Sequence, residues 1–193
     1  YDFLVFRPDI YDSLSLISEN ILAVEESPSG NIWVSTNKGI SQYNISEDRF
    51  SNISFYPRII GTQNNVTYDL SFINDSVVYC LLSDRLIKYF PATNVFAEIM
   101  MPSNINSGRN VMNGKMHFDS NTGVIYIATN LGLFMHRIGT REIIMNHYTR
   151  GTRINDLHQE EGGRIYLASG KGLIECQISE VSGMPERCRF IYS

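Results

Sequence analysis

The sequence predicts an all-β fold, a β-propeller made of four-stranded antiparallel blades, because one pattern of apolar runs and turns occurs four times along the chain. The first copy is "NIWVSTNKGISQYN" at residues 31–44, where a Trp in an apolar run precedes a tight turn and a second apolar run. Each unit holds four short β-rich runs, and none shows a persuasive helical period. A repeat of 40 to 47 residues with four strands is typical of a propeller blade. The later copies are "SVVYCLLSDRLIKYF" at 76–90, "GVIYIATNLGLFMHR" at 123–137 and "GRIYLASGKGLIECQ" at 163–177.

An aromatic anchor marks each copy, and the intervals between Trp33, Tyr79, Tyr126 and Tyr166 are 46, 47 and 40 residues. A residue that recurs in every blade is expected to pack between blades rather than to bind a ligand. Six positions after the anchor, three copies have a glycine, which suits a turn with positive φ. The second copy has Arg85 at that place, so its turn is expected to differ. The three turn glycines are Gly39, Gly132 and Gly172.

The elements of the first blade follow one another in a simple order. Its four strand-like runs are "ILAVEE", "NIWVST", "ISQYNI" and "FSNISF". The turn sequences "SPSG", "NKG" and "SEDR" separate them. β-Branched and aromatic residues fill the runs, as a half-buried pleated surface prefers.

The repeat divides the chain into consecutive blades of one propeller segment. Residues 1–19 are predicted to hold the outer strand of a preceding blade, at 1–7, followed by a crossover. An orphan strand beside four full blades predicts a fragment of a larger propeller of the seven-bladed type. The predicted blades are residues 20–62, 63–108, 109–152 and 153–193.

Composition and charge restrict the classes of function. A chain of 193 residues with 43% hydrophobic residues is long and apolar enough to bury a core. Its net charge of -4 gives no support to a phosphate-binding surface, so nucleic acid is not an expected partner. No apolar run reaches the length needed to cross a bilayer, so we expect no membrane contact by this chain.

The carboxylates and histidines do not form a catalytic or metal-binding pattern. The glutamate pairs at 25–26 and 160–161 could act as general acid and base. Polar residues recur at the same position of the repeat in other blades, however, which indicates a role in the turn that follows. The four histidines lack the spacing of a metal motif, and no GxSxG sequence is present. The sequence therefore predicts a chain that is not itself an enzyme and that has no catalytic residues, no cofactor and no metal.

The cysteines also lack the CxxC spacing of a zinc site. Cys80 lies in the apolar run "SVVYCLL", which favours a buried thiol. Cys176 and Cys188 flank a predicted turn around Ser182 and Gly183. Whether they form a cross-strand disulfide depends on the compartment, and the sequence leaves it open.

A more specific pattern runs through the first repeat and its flanks. Its elements are "SLS" at 13–15, I-x-A-V-x-E at 21–26, "GNIWVST" at 30–36, "KGI" at 38–40, Tyr43 and Phe50. This set resembles the two-component regulator propeller repeat, and the later copies are looser but in phase. The resemblance implies a periplasmic sensor domain of a hybrid two-component system (histidine kinase/response regulator) of the Bacteroides type. Such a domain would recognise carbohydrate breakdown products, belong to a homodimeric receptor, and pass a conformational bias to a membrane-linked kinase outside this chain.

Ligand-binding residues are expected in the loops, because a ligand site is usually built from what differs between blades. One face of a propeller carries the turns between second and third strands together with the crossovers between blades. Cationic and amide side chains beside an aromatic residue suit the hydroxyls and carboxylates of sugars, so an oligosaccharide or other small glycan is the expected partner. The residues predicted to bind it are Lys38, Arg58, Arg85, Arg109, Asn110, Tyr148 and Arg150.

Two other classes of function compete with ligand sensing. A propeller face could instead serve as a scaffold for protein–protein interaction or dimerisation, using exposed apolar loop residues. A propeller lyase or glycosidase is the third alternative, and it would need a cluster of His and carboxylates that breaks the repeat. The sequence shows no such cluster.

Overall fold

A computed structural model describes residues 3–56, 58, 65–102, 114–160 and 162–192 of the chain. In these ranges the protein forms sixteen β-strands in four antiparallel four-stranded sheets and one short 3₁₀-helix, His147–Thr149. The predicted all-β propeller fold is confirmed. No helix in the described ranges is long and apolar enough to cross a membrane.

Strands follow one another in the chain order that the repeat predicts. The first sheet contains β1 (Ile21–Glu26), β2 (Ile32–Thr36), β3 (Gly39–Asn44) and β4 (Arg49–Ile53). The second contains β5 (Asp69–Asn74), β6 (Val77–Leu81), β7 (Arg85–Phe90) and β8 (Val95–Met100). The third contains β9 (Lys115–Asp119), β10 (Val124–Thr129), β11 (Gly132–Arg137) and β12 (Ile143–Met145). The fourth contains β13 (Ile154–Glu160), β14 (Arg164–Ser169), β15 (Gly172–Ile178) and β16 (Pro185–Tyr192).

The second and third strands pair in the same register in all four sheets. Trp33 on β2 lies opposite Glu25 on β1 and Gln42 on β3. The turn that follows β2 is closed by Gly39, whose φ is 127° and whose missing Cβ would lie 2.3 Å from the carbonyl oxygen of Ile53. Only glycine fits so close to a neighbouring backbone at that angle. In the other sheets, each anchor likewise lies opposite one residue on the first strand, which we call the inner strand, and one on the third. These pairs are Ser71 and Lys88 for Tyr79, His117 and Met135 for Tyr126, and His158 and Glu175 for Tyr166.

Apolar clusters join each sheet to the next one along the chain. Between the first and second sheets, Trp33 is 2% exposed and its ring lies 5.6 Å from that of Phe72 and 6.4 Å from that of Tyr89. Tyr79 lies in the cluster between the second and third sheets, and Tyr126 lies in the cluster between the third and fourth. Each anchor therefore occupies an interface between blades, and burial of its ring contributes to stacking the sheets.

The two end faces of this stack differ from the internal interfaces. Among the described residues, no apolar cluster joins the fourth sheet back to the first. Tyr166 is accordingly half-buried, whereas Tyr79 and Tyr126 are fully buried. At the other end, Leu16 packs with Val34 and Phe50 on the outward face of the first sheet.

Residues 3–7 do not form the strand predicted at 1–7, and residues 1 and 2 lie outside the described ranges. Residues 3–8 contain no strand in the described structure. Phe6 instead folds back onto the first sheet, where its ring lies 4.8 Å from that of Tyr43 and 5.2 Å from that of Phe50. The rings of Phe6, Tyr43 and Phe50 pack together, so side-chain contacts rather than strand pairing hold this segment on the first sheet.

The fourth sheet carries a disulfide between Cys176 on β15 and Cys188 on β16, whose Cα atoms are 4.0 Å apart. The sequence left this pairing open. Cys176 is buried against the third sheet, while Cys80 is a free, fully buried thiol in the second. The bond therefore ties the outer strand β16 to a strand that is anchored in the core.

Candidate ligand-binding site

One end of every sheet gathers the turn between its second and third strands and a segment that enters or leaves the sheet. We call this end the crossover face; it contains the turns at 37–38, 82–84, 130–131 and 170–171. A backbone hydrogen bond fastens the turn to the crossover in each blade. The donors and acceptors are Asn37 N and Asn20 O, Met101 N and Asp84 O, Gly151 N and Leu131 O, and Gly170 N and Arg153 O. In the described parts of the crossover face, the turns and crossovers are thus tied together through the backbone.

A cleft of about 500 Å³ opens on the crossover face beside the first sheet. We call it the Lys38 cleft, and its volume is in the range of sites that hold small ligands. The segment before β1 and the β2–β3 turn form its walls. Its lining residues are Arg7, Pro8, Ser18, Glu19, Asn20, Asn37 and Lys38.

Hydrogen bonds fix the floor of the Lys38 cleft. The Ser18 hydroxyl donates to Oδ1 of Asn37 at 2.7 Å, and the Asn20 backbone N–H donates back to the Ser18 oxygen at 3.2 Å. The Lys38 backbone N–H donates to Oγ1 of Thr36 at 3.0 Å. The backbone that carries the lysine is therefore held in place before any ligand arrives, which lowers the entropy lost on binding.

The chemistry of the cleft is that of a polar binding site. Arg7 and Lys38 supply exposed cations, Glu19 supplies one carboxylate, and the amides of Asn20 and Asn37 can both donate and accept hydrogen bonds. This combination suits a ligand with several hydroxyls.

Three residues predicted for the site lie on the crossover face. Lys38 lines the cleft itself. Tyr148 and Arg150 lie in the crossover between the third and fourth sheets, both exposed. Tyr148 is 50% exposed and its ring lies 3.8 Å from that of His147, which places an accessible aromatic face beside Arg150 in the chain.

Two predicted residues are engaged elsewhere. The Arg58 guanidinium lies 4.4 Å above the Phe96 ring and donates to Oδ1 and the carbonyl oxygen of Asn94. Arg58 therefore lies against outer strand β8 and does not line the Lys38 cleft. Arg85 is 4% exposed and forms ion pairs with Asp84 and Glu98, and both side-chain hydrogen bonds to Asp84 raise the pKa of its guanidinium.

The remaining predicted residues, Arg109 and Asn110, lie outside the described residues. Sequence reasoning did not single out Arg7, Ser18, Glu19 or Asn20, which the fold brings to the cleft. Ser18 and Glu19 lie in the crossover that follows residues 1–7, which the sequence predicts on this face, and that is the signal for these two. Arg7 carried no such signal, because its segment was expected to be a strand.

A second group of charges lies away from the cleft, on the inner strands. Asp69 on β5 is 2% exposed, accepts from the Met116 backbone N–H at 2.6 Å, and has Lys115 Nζ 3.9 Å from its other oxygen. Burial raises the pKa of Asp69 to about 6; Lys115 and backbone N–H groups oppose that shift, and Glu25 adds to it. Burial likewise raises the pKa of Glu25. These groups join the inner strands of three sheets and do not line the Lys38 cleft.

The fold and the cleft define a class of protein: a β-propeller segment with a ligand-sized cleft among its loops. Residues 15–38 match the family model of the two component regulator propeller, which confirms the resemblance found in the first repeat. No curated protein matches the chain.

Solved structures share the fold at low identity. The extracellular domain of the putative hybrid two component system BT3049 from B. thetaiotaomicron matches with 18% identity and a TM-score of 0.72, over 90% of this chain and 23% of that one. The extracellular domain of the putative one component system BT4673 from the same organism matches with 18% identity and a TM-score of 0.73, over 90% and 22%. The Cps50 (Swd1) β-propeller domain from Myceliophteria thermophila matches with 14% identity and a TM-score of 0.66, over 91% and 59%. The chain thus spans less than a quarter of the two Bacteroides domains.

Proposed function

We propose that the chain is part of the ligand-sensing region of a two-component receptor and that it binds an oligosaccharide in the Lys38 cleft. One observation carries this proposal: the matched repeat and the cleft coincide. Five of the seven lining residues lie within residues 15–38. They are Ser18, Glu19, Asn20, Asn37 and Lys38.

The proposed location is the periplasm, as the extracytoplasmic part of an inner-membrane receptor. The disulfide between Cys176 and Cys188 supports it, because such bonds persist in oxidising compartments that include the bacterial periplasm. The likeness in fold to extracellular domains of Bacteroides receptors points the same way.

The proposed role is binding without catalysis. Glu19 is the one carboxylate in the cleft lining, which holds no histidine or cysteine. Hydrolysis of a glycosidic bond ordinarily uses two carboxylates on either side of the bond. The parent protein is proposed to be a homodimeric histidine kinase in which the occupied cleft biases the arrangement of a partner domain.

The test is thermal unfolding of the purified chain in the presence of a panel of oligosaccharides. A ligand that binds the folded state raises the unfolding temperature saturably, by an amount that depends on its concentration relative to Kd. We expect at least one oligosaccharide to do so, and we expect Lys38→Ala to weaken its binding.

Lys171→Ala is the matched control. Lys171 occupies the same tip of the β14–β15 turn, where its backbone N–H donates to Oγ of Ser169 as that of Lys38 does to Thr36. It is exposed and does not line the cleft. Equal weakening by both changes would remove the cleft from the proposal, and a panel in which no oligosaccharide binds would refute it.

A further inference from the structure

We infer that the ligand of the Lys38 cleft is an anionic sugar, whose carboxylate or sulfate group lies between Arg7 and Lys38. This inference rests on the proposed function, because it names the chemical class of the oligosaccharide that the cleft would bind. It concerns the charge of the ligand, which the fold alone does not determine.

Both cations of the Lys38 cleft are available to a ligand. Arg7 and Lys38 are exposed, and neither forms an ion pair within the described ranges. Of the other cations in the described ranges, four have carboxylate partners: Arg85, Lys115, Arg164 and Arg189. Two cations in one cleft repel each other, and an anion bound between them offsets this repulsion because it attracts both.

The lining of the Lys38 cleft differs in the sign of its charge from the chain as a whole. The whole chain has a net charge of -4, whereas the cleft lining holds two cations and a single carboxylate. Two other described clefts have the opposite character. One is lined by Asp119, Glu160 and Glu180 without any lysine or arginine, and the other by Glu25 and Glu26 beside His117. Of these three clefts, the Lys38 cleft is therefore the one whose lining carries more positive than negative charge, within a chain that is acidic overall.

The cationic and amide groups of the lining suit different parts of one anionic sugar. A guanidinium matches the planar fork of a carboxylate or two oxygens of a sulfate, and an ammonium adds a point charge. The Asn20 and Asn37 amides are placed to bond the hydroxyls of the same sugar ring. Glu19 disfavours an anion close to it, so we expect the anionic group at the Arg7 and Lys38 side and hydroxyls at the Glu19 side.

The experiment uses pairs of sugars that differ only in charge. The probes are uronate-containing disaccharides with their methyl esters, and sulfated disaccharides with their desulfated forms. Binding to the chain is measured by calorimetry at low and high salt. We expect at least one anionic member to bind about tenfold or more tightly than its neutral counterpart, with weaker binding at high salt. The uronate and sulfate pairs show which anionic group the cleft prefers.

Charge variants then locate the effect. Arg7→Gln and Lys38→Gln should each lower the affinity for the anionic sugar of a pair by about tenfold or more. The affinity for its neutral counterpart should change much less. Glu19→Gln should raise the affinity for the anionic sugar by roughly two- to tenfold, because it removes a carboxylate that repels the anion. Lys171→Gln, the control at the equivalent turn, should leave both affinities unchanged.

Each other outcome overturns the inference. Equal or tighter binding of the neutral members would refute it while leaving the proposed oligosaccharide function intact. Anionic selectivity that survives Arg7→Gln and Lys38→Gln would place the site elsewhere. If no member of any pair binds, both the inference and the proposed function fail.

Discussion

At the scale of single residues, Asp69 is the group with the clearest electrostatic consequence. Its carboxylate links the inner strand of the second sheet to that of the third through the Met116 N–H and Lys115. A carboxylate that is 2% exposed with one distant cation is poorly compensated, so its charged form is costly. Asp69 therefore joins two blades at the expense of a buried charge near neutral pH.

We expect Asp69→Asn to remove part of the pH dependence of the free energy of unfolding. The pKa of Asp69 is about 6 in the folded protein, above its ordinary value of 3.8, so the folded state holds this proton more tightly than the unfolded chain. The stabilisation linked to the proton is full below about pH 4 and is lost as pH rises through about 6. At roughly 1.4 kcal/mol per pKa unit, the charged group costs up to about 3 kcal/mol at pH 7.5.

Urea unfolding at pH 7.5 and pH 4.5 checks this. The asparagine keeps an oxygen for the Met116 N–H and carries no charge, so the variant should gain stability over wild type at pH 7.5 and lose most of that advantage at pH 4.5. Asp156 lies at the same register position of the fourth sheet but is exposed. Asp156→Asn is the control, and its stability relative to wild type should not differ between the two pH values in this way. If both variants gain stability at pH 7.5 to the same degree, burial of Asp69 is not the cause.

At the scale of elements, the outer strand β16 is held both by pairing with β15 and by its disulfide. Most of its described side chains are exposed or half-buried, while Cys176 on the neighbouring β15 is fully buried. The bond closes a loop with a sequence separation of 12 residues, and a loop of that size is stabilised by about 3 kcal/mol in the chain-entropy account.

We expect a reducing agent to lower the unfolding temperature of the wild-type chain and to have no further effect on Cys176→Ala/Cys188→Ala. Cys80→Ala is the control, because Cys80 is a free buried thiol and its variant should keep the full response to the reducing agent. Thiol labelling of the unfolded, unreduced chain should detect one free cysteine. Detection of three would contradict the disulfide.

The elements also show how far the sequence could predict the structure. Strands and anchors follow the repeat phase, because local alternation and the spacing of Trp33 and its equivalents are set within one blade. The burial of Arg85 could not be read from that phase, since it depends on Glu98, which is supplied by another strand. The contribution of Arg7 to the cleft depends on the segment folding back onto the first sheet, and no local pattern encodes such a contact.

At the scale of the whole molecule, the fourth sheet differs from the other three in what covers its anchor. Tyr166 has the same register as Tyr79 and Tyr126, but no described sheet packs on it. Its hydroxyl lies 3.3 Å from Glu175 and 3.5 Å from Glu160. Arg164 pairs with both of these carboxylates, so this end face combines a half-buried aromatic ring with exposed charge.

We therefore expect the stability lost on replacing an anchor to depend on its neighbour blade rather than on the residue type. Tyr79→Ala and Tyr126→Ala each leave a cavity between two sheets, and loss of a buried aromatic side chain costs about 3 to 5 kcal/mol. Tyr166→Ala removes a ring of the same kind from an open face and should cost much less. The three variants form a matched series at one position of the repeat, compared by urea unfolding at a single pH.

If Tyr166→Ala costs as much as Tyr79→Ala, a surface must cover the fourth sheet in solution. Light scattering on the wild-type chain would then show association of the chain with itself, and the open end face would be an interface between copies.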